Sequence, residues 1–160
     1  MAFVIRPARP ADAEAIAAVN VAARRRAMPY LRLVHGHEET VAWVRDVLLD
    51  RDEVHVAEAD GRVVAFLGLY GPVLEQLWVE PQAQGRGVGS ALLDLAKDLR
   101  PQGFDLWVFQ RNDQARGFYE RRGLLLAELT DGAGNDEREP DARYAWRPGD
   151  GDGRRRSEPS

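Results

Sequence analysis

The chain has 160 residues, 44% hydrophobic and 30% charged, the make-up of an ordinary soluble globular protein, and its length suits one domain that buries about two-thirds of its unfolded surface. Cysteine is absent, which excludes a disulfide framework, a cysteine-ligated metal and a thiol nucleophile. A net charge of −4 argues against nucleic acid as a partner and mildly favours cationic substrates, although acidity of this size serves solubility alone equally well.

The opening run Met1-Ala2-Phe3-Val4-Ile5-Arg6-Pro7 is too short for a signal peptide, and no stretch approaches the roughly 18 apolar residues of a membrane span; a cytoplasmic location without membrane contact is expected. Phe3 to Arg6 reads as a strand. A helix capped near Asp12 follows, with Glu14 in its first turn and an apolar stripe of Ile16, Val19 and Ala23. Arg24-Arg25-Arg26 and Met28-Pro29 end that pattern, and a second helix is expected from Glu38 to Leu49 through Val41, Val44, Val47 and Leu48. Val54 to Ala59 and Arg62 to Tyr70 are strands joined by Asp60-Gly61, a strong hairpin signal. Val73 to Val79 is a third antiparallel strand. The next helix carries Val88, Ala91, Leu92, Leu95, Ala96 and Leu99 at spacings of three and four and stops before Pro101-Gln102-Gly103. Asp105 to Phe109 is a strand, Asn112 to Arg122 a helix ended by Gly123, and Leu124 to Thr130 a strand. The loop from Asp131 to Asp141 precedes a last strand, Ala142 to Arg147. This order is α+β: about seven strands in a mixed, mostly antiparallel sheet flanked by four helices, forming one domain over residues 1–148. Residues 149–160 read as a disordered polar tail.

The segment that carries chemistry joins the third antiparallel strand to its helix: Gln84-Gly85-Arg86-Gly87-Val88-Gly89-Ser90. Glycines at a helix start expose backbone N–H groups, which favours an anion and pyrophosphate above all. A P-loop requires a lysine after its last glycine, and here Ser90-Ala91 follows. A dinucleotide loop requires Gly-x-Gly-x-x-Gly and an acidic residue ending the next strand, but the third glycine is one place early and Asp105 stands at the head of its strand rather than its end. What remains, Gln84-x-x-Gly87-x-Gly89, resembles the pyrophosphate signature of the GNAT superfamily of acyl-CoA-dependent N-acetyltransferases. A second stretch, Asn112-Asp113-Gln114-Ala115-Arg116-Gly117-Phe118-Tyr119-Glu120-Arg121-Arg122-Gly123, is similar to that family's Asn-x-x-Ala-x-x-Phe/Leu-Tyr-x-x-x-Gly. The order of elements over residues 3 to 147 matches as well.

The resemblance implies that acetyl-CoA is the acyl donor, with Gln84, Gly85, Arg86, Gly87, Val88, Gly89 and Ser90 around its pyrophosphate. It sets the Leu77 and Val79 backbones beside pantetheine and thioester, with the Val79 N–H polarising the carbonyl. Asn112 and Ala115 also fall on the pantetheine side, and Tyr119 becomes the acid for the departing thiolate. Asn112 and Tyr119 lie seven apart, two turns, on one helix face. Each has a competing structural reading, as an N-cap and as a packing tyrosine. By alternation Glu75 shares a strand face with Leu77 and Val79, and either it deprotonates the acceptor ammonium or it attracts a cationic substrate without proton transfer.

The activity implied is direct transfer of an acetyl group to a primary amine, on a small molecule or a peptide. A non-catalytic acyl-CoA sensor or an interaction module of the same fold is the alternative, and the fold implied is often dimeric. No metal is expected: His35 and His37 lack cysteine or carboxylate company, and His55 sits in a strand. Arg24, Arg25 and Arg26 suit a solvated, dipole-favoured helix end, and Trp43, Trp78, Trp107 and Trp146 suit packing.

Overall fold

The computed structural model describes residues 1–31 and 36–149. The chain packs as two compact units, Met1–Asp98 and Leu99–Ser160. His35 and almost all of the expected polar tail lie outside the described residues.

The first unit opens with β1 (Val4–Pro7), a short 3-10 turn (Pro10–Asp12) and α1 (Ala13–Ala27). Then α2 (His37–Trp43) runs without a break through a π-helical turn (Val44–Leu48) into α3 (Leu49–Arg51). Strands β2 (Glu53–Ala59), β3 (Arg62–Tyr70) and β4 (Val73–Val79) follow, and then α4 (Val88–Leu99). These strands lie in the order β1-β2-β3-β4, each antiparallel to its neighbour. Asp60 and Gly61 both take positive φ, 53° and 73°, the backbone that a two-residue hairpin turn matched to strand twist requires.

The apolar stripe of α1 buries Ile16, Ala17 and Val19 against Val44 and Leu48 of the second helical stretch and Val54, Val56 and Phe66 of the sheet. At about 25 cal/mol per Å², burial of such side chains contributes roughly 1.5–3 kcal/mol each. Trp43 and Trp78 pack against this core, as structural tryptophans do. One expectation is corrected here. Asp12 stands at the N-cap of α1 but makes no side-chain cap bond. Its carboxylate accepts instead from Arg6 Nη1 and Nη2 at 2.8 and 3.0 Å and from the Arg9 N–H at 2.7 Å, because a nearby guanidinium outcompetes a neutral helix amide.

The second unit holds β5 (Phe104–Phe109), α5 (Asp113–Arg121), β6 (Leu125–Leu129) and β7 (Asp141–Trp146), with strand order β5-β7-β6, again antiparallel. The connection between β6 and β7 is held down locally. Arg111 forks onto Glu139 at 2.8 and 2.7 Å, and Asn135 donates to the Glu139 carbonyl at 2.8 Å and to Asp141 at 3.2 Å. Gly132 has φ +83°, and a Cβ there would lie 2.4 Å from the Glu139 backbone. Much of this loop's acidity is thus spent on internal partners. The described residues therefore contain seven strands, antiparallel in every pair within each unit, and four helical stretches: an α+β fold.

Candidate active site

The glycine loop is built from β4 outward. After Val79, Glu80 donates its N–H to the Val64 carbonyl at 2.9 Å, and its carboxylate takes both Arg62 nitrogens at 2.5 and 2.7 Å, anchoring the turn to β3. The Gln84 side chain reaches back and donates from Nε2 to the Val79 carbonyl at 3.0 Å. From there φ alternates in sign: Gly85 at +76°, Arg86 negative, Gly87 at +87°. Alternation of this kind turns successive N–H groups toward one side, an arrangement suited to an anion. A Cβ on Gly85 or Gly87 would meet nothing within 4 Å, so glycine is needed here for its backbone and for an open approach, not for packing. Gly87 accepts from the Ala91 N–H at 3.0 Å and so caps α4, whose first-turn amides have no intrahelical acceptor. Val88 is buried and anchors the turn, while Gly85, Arg86 and Gly87 are exposed.

On β4, alternation fails at one residue. Gln76 pairs with Gly68 and Leu74 with Leu69, which leaves Glu75 as the extra residue of a β-bulge. Leu77 and Val79 stay in regular register opposite Leu67 and Ala65. Glu75 is therefore not set on their face by alternation, as the sequence suggests, but is turned toward the end of α3. There Arg51 bridges two carboxylates: its Nε donates to Asp52 Oδ1 at 2.8 Å and its Nη2 donates to Glu75. Its guanidinium also lies 4.7 Å over the Tyr70 ring. The Asp52 side chain is fully buried, and its Oδ2 has no hydrogen-bond partner among the described residues. Beside it, Trp78 Nε1 donates to Gln76 Oε1 at 2.8 Å. Burial and the neighbouring Asp52 push the Glu75 carboxyl above the usual carboxylate range, against a smaller opposing pull from Arg51. Arg51, Asp52 and Gln76 were not singled out by the sequence, and Trp78 only for packing; the sequence offers no signal for a pairing across 24 residues that a bulge brings about.

On α5, Asn112 does cap the helix: its Oδ1 accepts from the Ala115 N–H at 3.2 Å, which leaves its amide nitrogen to donate elsewhere. Two turns on, Tyr119 is buried on the same stripe, its ring set edge-on to Phe118 at 5.2 Å and 6.5 Å from Tyr144. Desolvation alone raises its hydroxyl well above the ordinary value, so it keeps its proton throughout the neutral range. Tyr144, wholly buried, donates to Glu120 and accepts from Arg116 Nε at 3.0 Å, which stiffens the helix that carries Tyr119. Of the remaining candidates, Arg24, Arg25 and Arg26 occupy the last turn of α1, favourable to its dipole, and His37 begins α2. His55 lies within β2, its pKa lowered by burial.

Among the described residues no helix is long and apolar enough to cross a membrane. A model of the acetyltransferase (GNAT) domain family matches residues 50–123, a stretch that spans both the glycine loop and α5. Over 91 residues the chain is 31% identical to the peptidyl-lysine N-acetyltransferase YiaC of Escherichia coli, covering 56% of this chain and 62% of that one. It is likewise 31% identical over 102 residues to an uncharacterized N-acetyltransferase of Archaeoglobus fulgidus, covering 54% of this chain and 69% of the relative. The chain thus spans about three-fifths of the length of the first of these. In structure it superposes on the PaiA N-acetyltransferase of Thermoplasma acidophilum in complex with coenzyme A with a TM-score of 0.71 over 92% of this chain and 99% of the other, at 20% identity, a likeness of fold. With the signature loop at the start of α4 and this order of elements, the chain belongs to the GNAT family of acetyltransferases.

Proposed function

We propose that the protein transfers an acetyl group from acetyl-CoA to the side-chain amine of a lysine in a peptide or protein. The observation that carries this reading is the open Gly85–Gly87 turn at the head of α4, whose backbone N–H groups and helix dipole suit a pyrophosphate. The chemistry of the loop fits the donor, and the coenzyme A complex of the PaiA structure agrees with it. A lysine acceptor is supported by the likeness to YiaC, a peptidyl-lysine N-acetyltransferase, and by the half-buried carboxylate at Glu75.

In this reading Glu75 takes a proton from the acceptor ammonium. The free amine attacks the thioester carbonyl, whose oxygen the Val79 N–H polarises, the carbon–sulfur bond breaks as the Tyr119 hydroxyl donates to the thiolate, and the proton that the nitrogen sheds on becoming an amide restores Tyr119 by way of solvent. Leu77 guides the pantetheine along β4, with Asn112 and Ala115 serving it from α5, while Gln84 braces the loop and Arg86, Val88, Gly89 and Ser90 complete the phosphate cradle. A free thiol has an ordinary pKa of about 8.5 against about 10 for tyrosine, and burial widens that gap, so the Tyr119 hydroxyl works as a hydrogen-bond donor that completes transfer only as the bond breaks. Mass-detected acetylation of a mixed pool of lysine peptides, free amines and amino sugars, with thiol release followed in parallel, tests the assignment. Coenzyme binding without acetylation of any member would make the protein an acyl-CoA sensor.

A further inference from the structure

The cluster at the end of α3 contains two carboxylates on one guanidinium. Arg51 satisfies Asp52 Oδ1 and one oxygen of Glu75, yet Asp52 Oδ2 is buried without a donor. It points across Gly68: a Cβ added there would lie 3.4 Å from Oδ2 and 3.2 Å from the Gln76 Cβ. A buried carboxylate oxygen without a donor is costly, and two neighbouring carboxylates cannot both ionise freely. Among the described residues the donor at hand is a proton shared with Glu75, which the same Arg51 guanidinium holds beside Asp52.

We propose that Asp52 and Glu75 act as a single carboxyl pair holding one exchangeable proton, and that Asp52 is the positioning residue that makes Glu75 a base for the acceptor ammonium. The inference rests on the acetyltransferase reading and adds a residue to it. Among the described residues the charged groups acting on Glu75 are Arg51 and Asp52, with Tyr70 stacked on Arg51. With the pair ionised, two negative charges and the one guanidinium leave a net −1, which matches one ammonium. That ammonium gives its proton to the pair and becomes the attacking amine; the pair then releases the proton to solvent, so charge and protons balance over a turnover.

Two variants shift the pair in opposite directions. Asp52→Asn removes the neighbouring negative charge and leaves Arg51 to Glu75 alone, so the lower inflection of the pH profile of kcat/KM should move down by about one unit or more, with slower turnover on the plateau. Arg51→Met removes the cation and should move the same inflection up by a similar amount. General structural damage does not shift an inflection in two directions. Carbon NMR of the Glu75 carboxyl, titrated without substrate, gives the same comparison independently of activity, and Arg51→Met, altered at a part-exposed side chain, carries the test if Asp52→Asn does not fold. Unmoved inflections in the folded variants, or a Glu75 titration indifferent to them, overturn the pair even where acetyl transfer is intact. A coupled titration in a protein that acetylates no amine overturns the catalytic use of the pair and, separately, the acetyltransferase reading.

Discussion

The first unit contains two clusters of the same composition, one arginine between two carboxylates, and they behave in opposite ways. Around Arg6, the guanidinium takes Asp12 with two nitrogens and Glu58 with the third at 2.8 Å, and the Arg9 N–H adds a further donor to Asp12. Both Asp12 oxygens are satisfied, and the bond from Arg6 holds its carboxyl below the ordinary range. Around Arg51, each carboxylate receives one guanidinium nitrogen, Asp52 Oδ2 receives nothing, and Glu75 is pushed up. Charge composition is equal; donor count is not. A carboxylate whose lone pairs are all met is a brace, whereas Glu75, half-buried beside a second carboxylate, is poised to take a proton.

Tyr119 handles its proton in a third way, by burial alone. Tyr119→Phe keeps the ring and its contact with Phe118 and should lower turnover by about 10²–10⁴ fold, at the lower end because a thiolate is already a fair leaving group, with coenzyme affinity barely changed. Wild-type turnover in the variant would make Tyr119 a packing residue. Glu75→Gln should cost about 10² fold near neutral pH, with recovery as the pH approaches the acceptor's own value, near 10.4 for lysine. A loss equal at every pH and visible as weaker acceptor binding would assign Glu75 to attraction alone.

For the loop, Gly89→Val is a cleaner probe than Gly87→Val. Gly87 needs φ +87°, so valine there adds backbone strain, whereas Gly89 lies inside α4 without positive φ. At a coenzyme concentration a hundred times its Kd, wild type should gain about 2.7 kcal/mol and Gly89→Val nothing; equal gains would remove the loop from the binding site. The smallest effect belongs to the brace. Asp12→Asn should cost about 2 kcal/mol in urea unfolding and leave acetyl transfer unchanged. Because the folded value of Asp12 lies below its unfolded value, near 3.9, its contribution is full above that value and fades as the pH falls through the lower folded one. Asp12→Asn should therefore narrow its gap from wild type under acid, whereas the Arg51 cluster should show itself in the activity profile.

What the sequence determined by itself was local. The spacing of Ile16 and Val19, the Asp60-Gly61 turn, the glycines before α4 and the Asn112 cap act within a few residues of themselves, and each formed the element it signalled, with ends moved by a residue or two. The family resemblance was legible for the same reason, since its two signatures are each a single loop-and-helix segment. Three outcomes needed the tertiary structure. Asp12 left its helix for Arg6 because a charged donor from β1 came within reach. Part of the acidity of the loop before β7 is absorbed because Arg111 pairs with the Glu139 carboxylate and Asn135 donates to that of Asp141. Glu75 left the face of Leu77 and Val79 because β4 carries one residue more than β3 opposite Gly68 and Leu69, and that misfit, set by the pairing of two strands and invisible in either alone, turned it toward Asp52, 23 positions earlier in the chain.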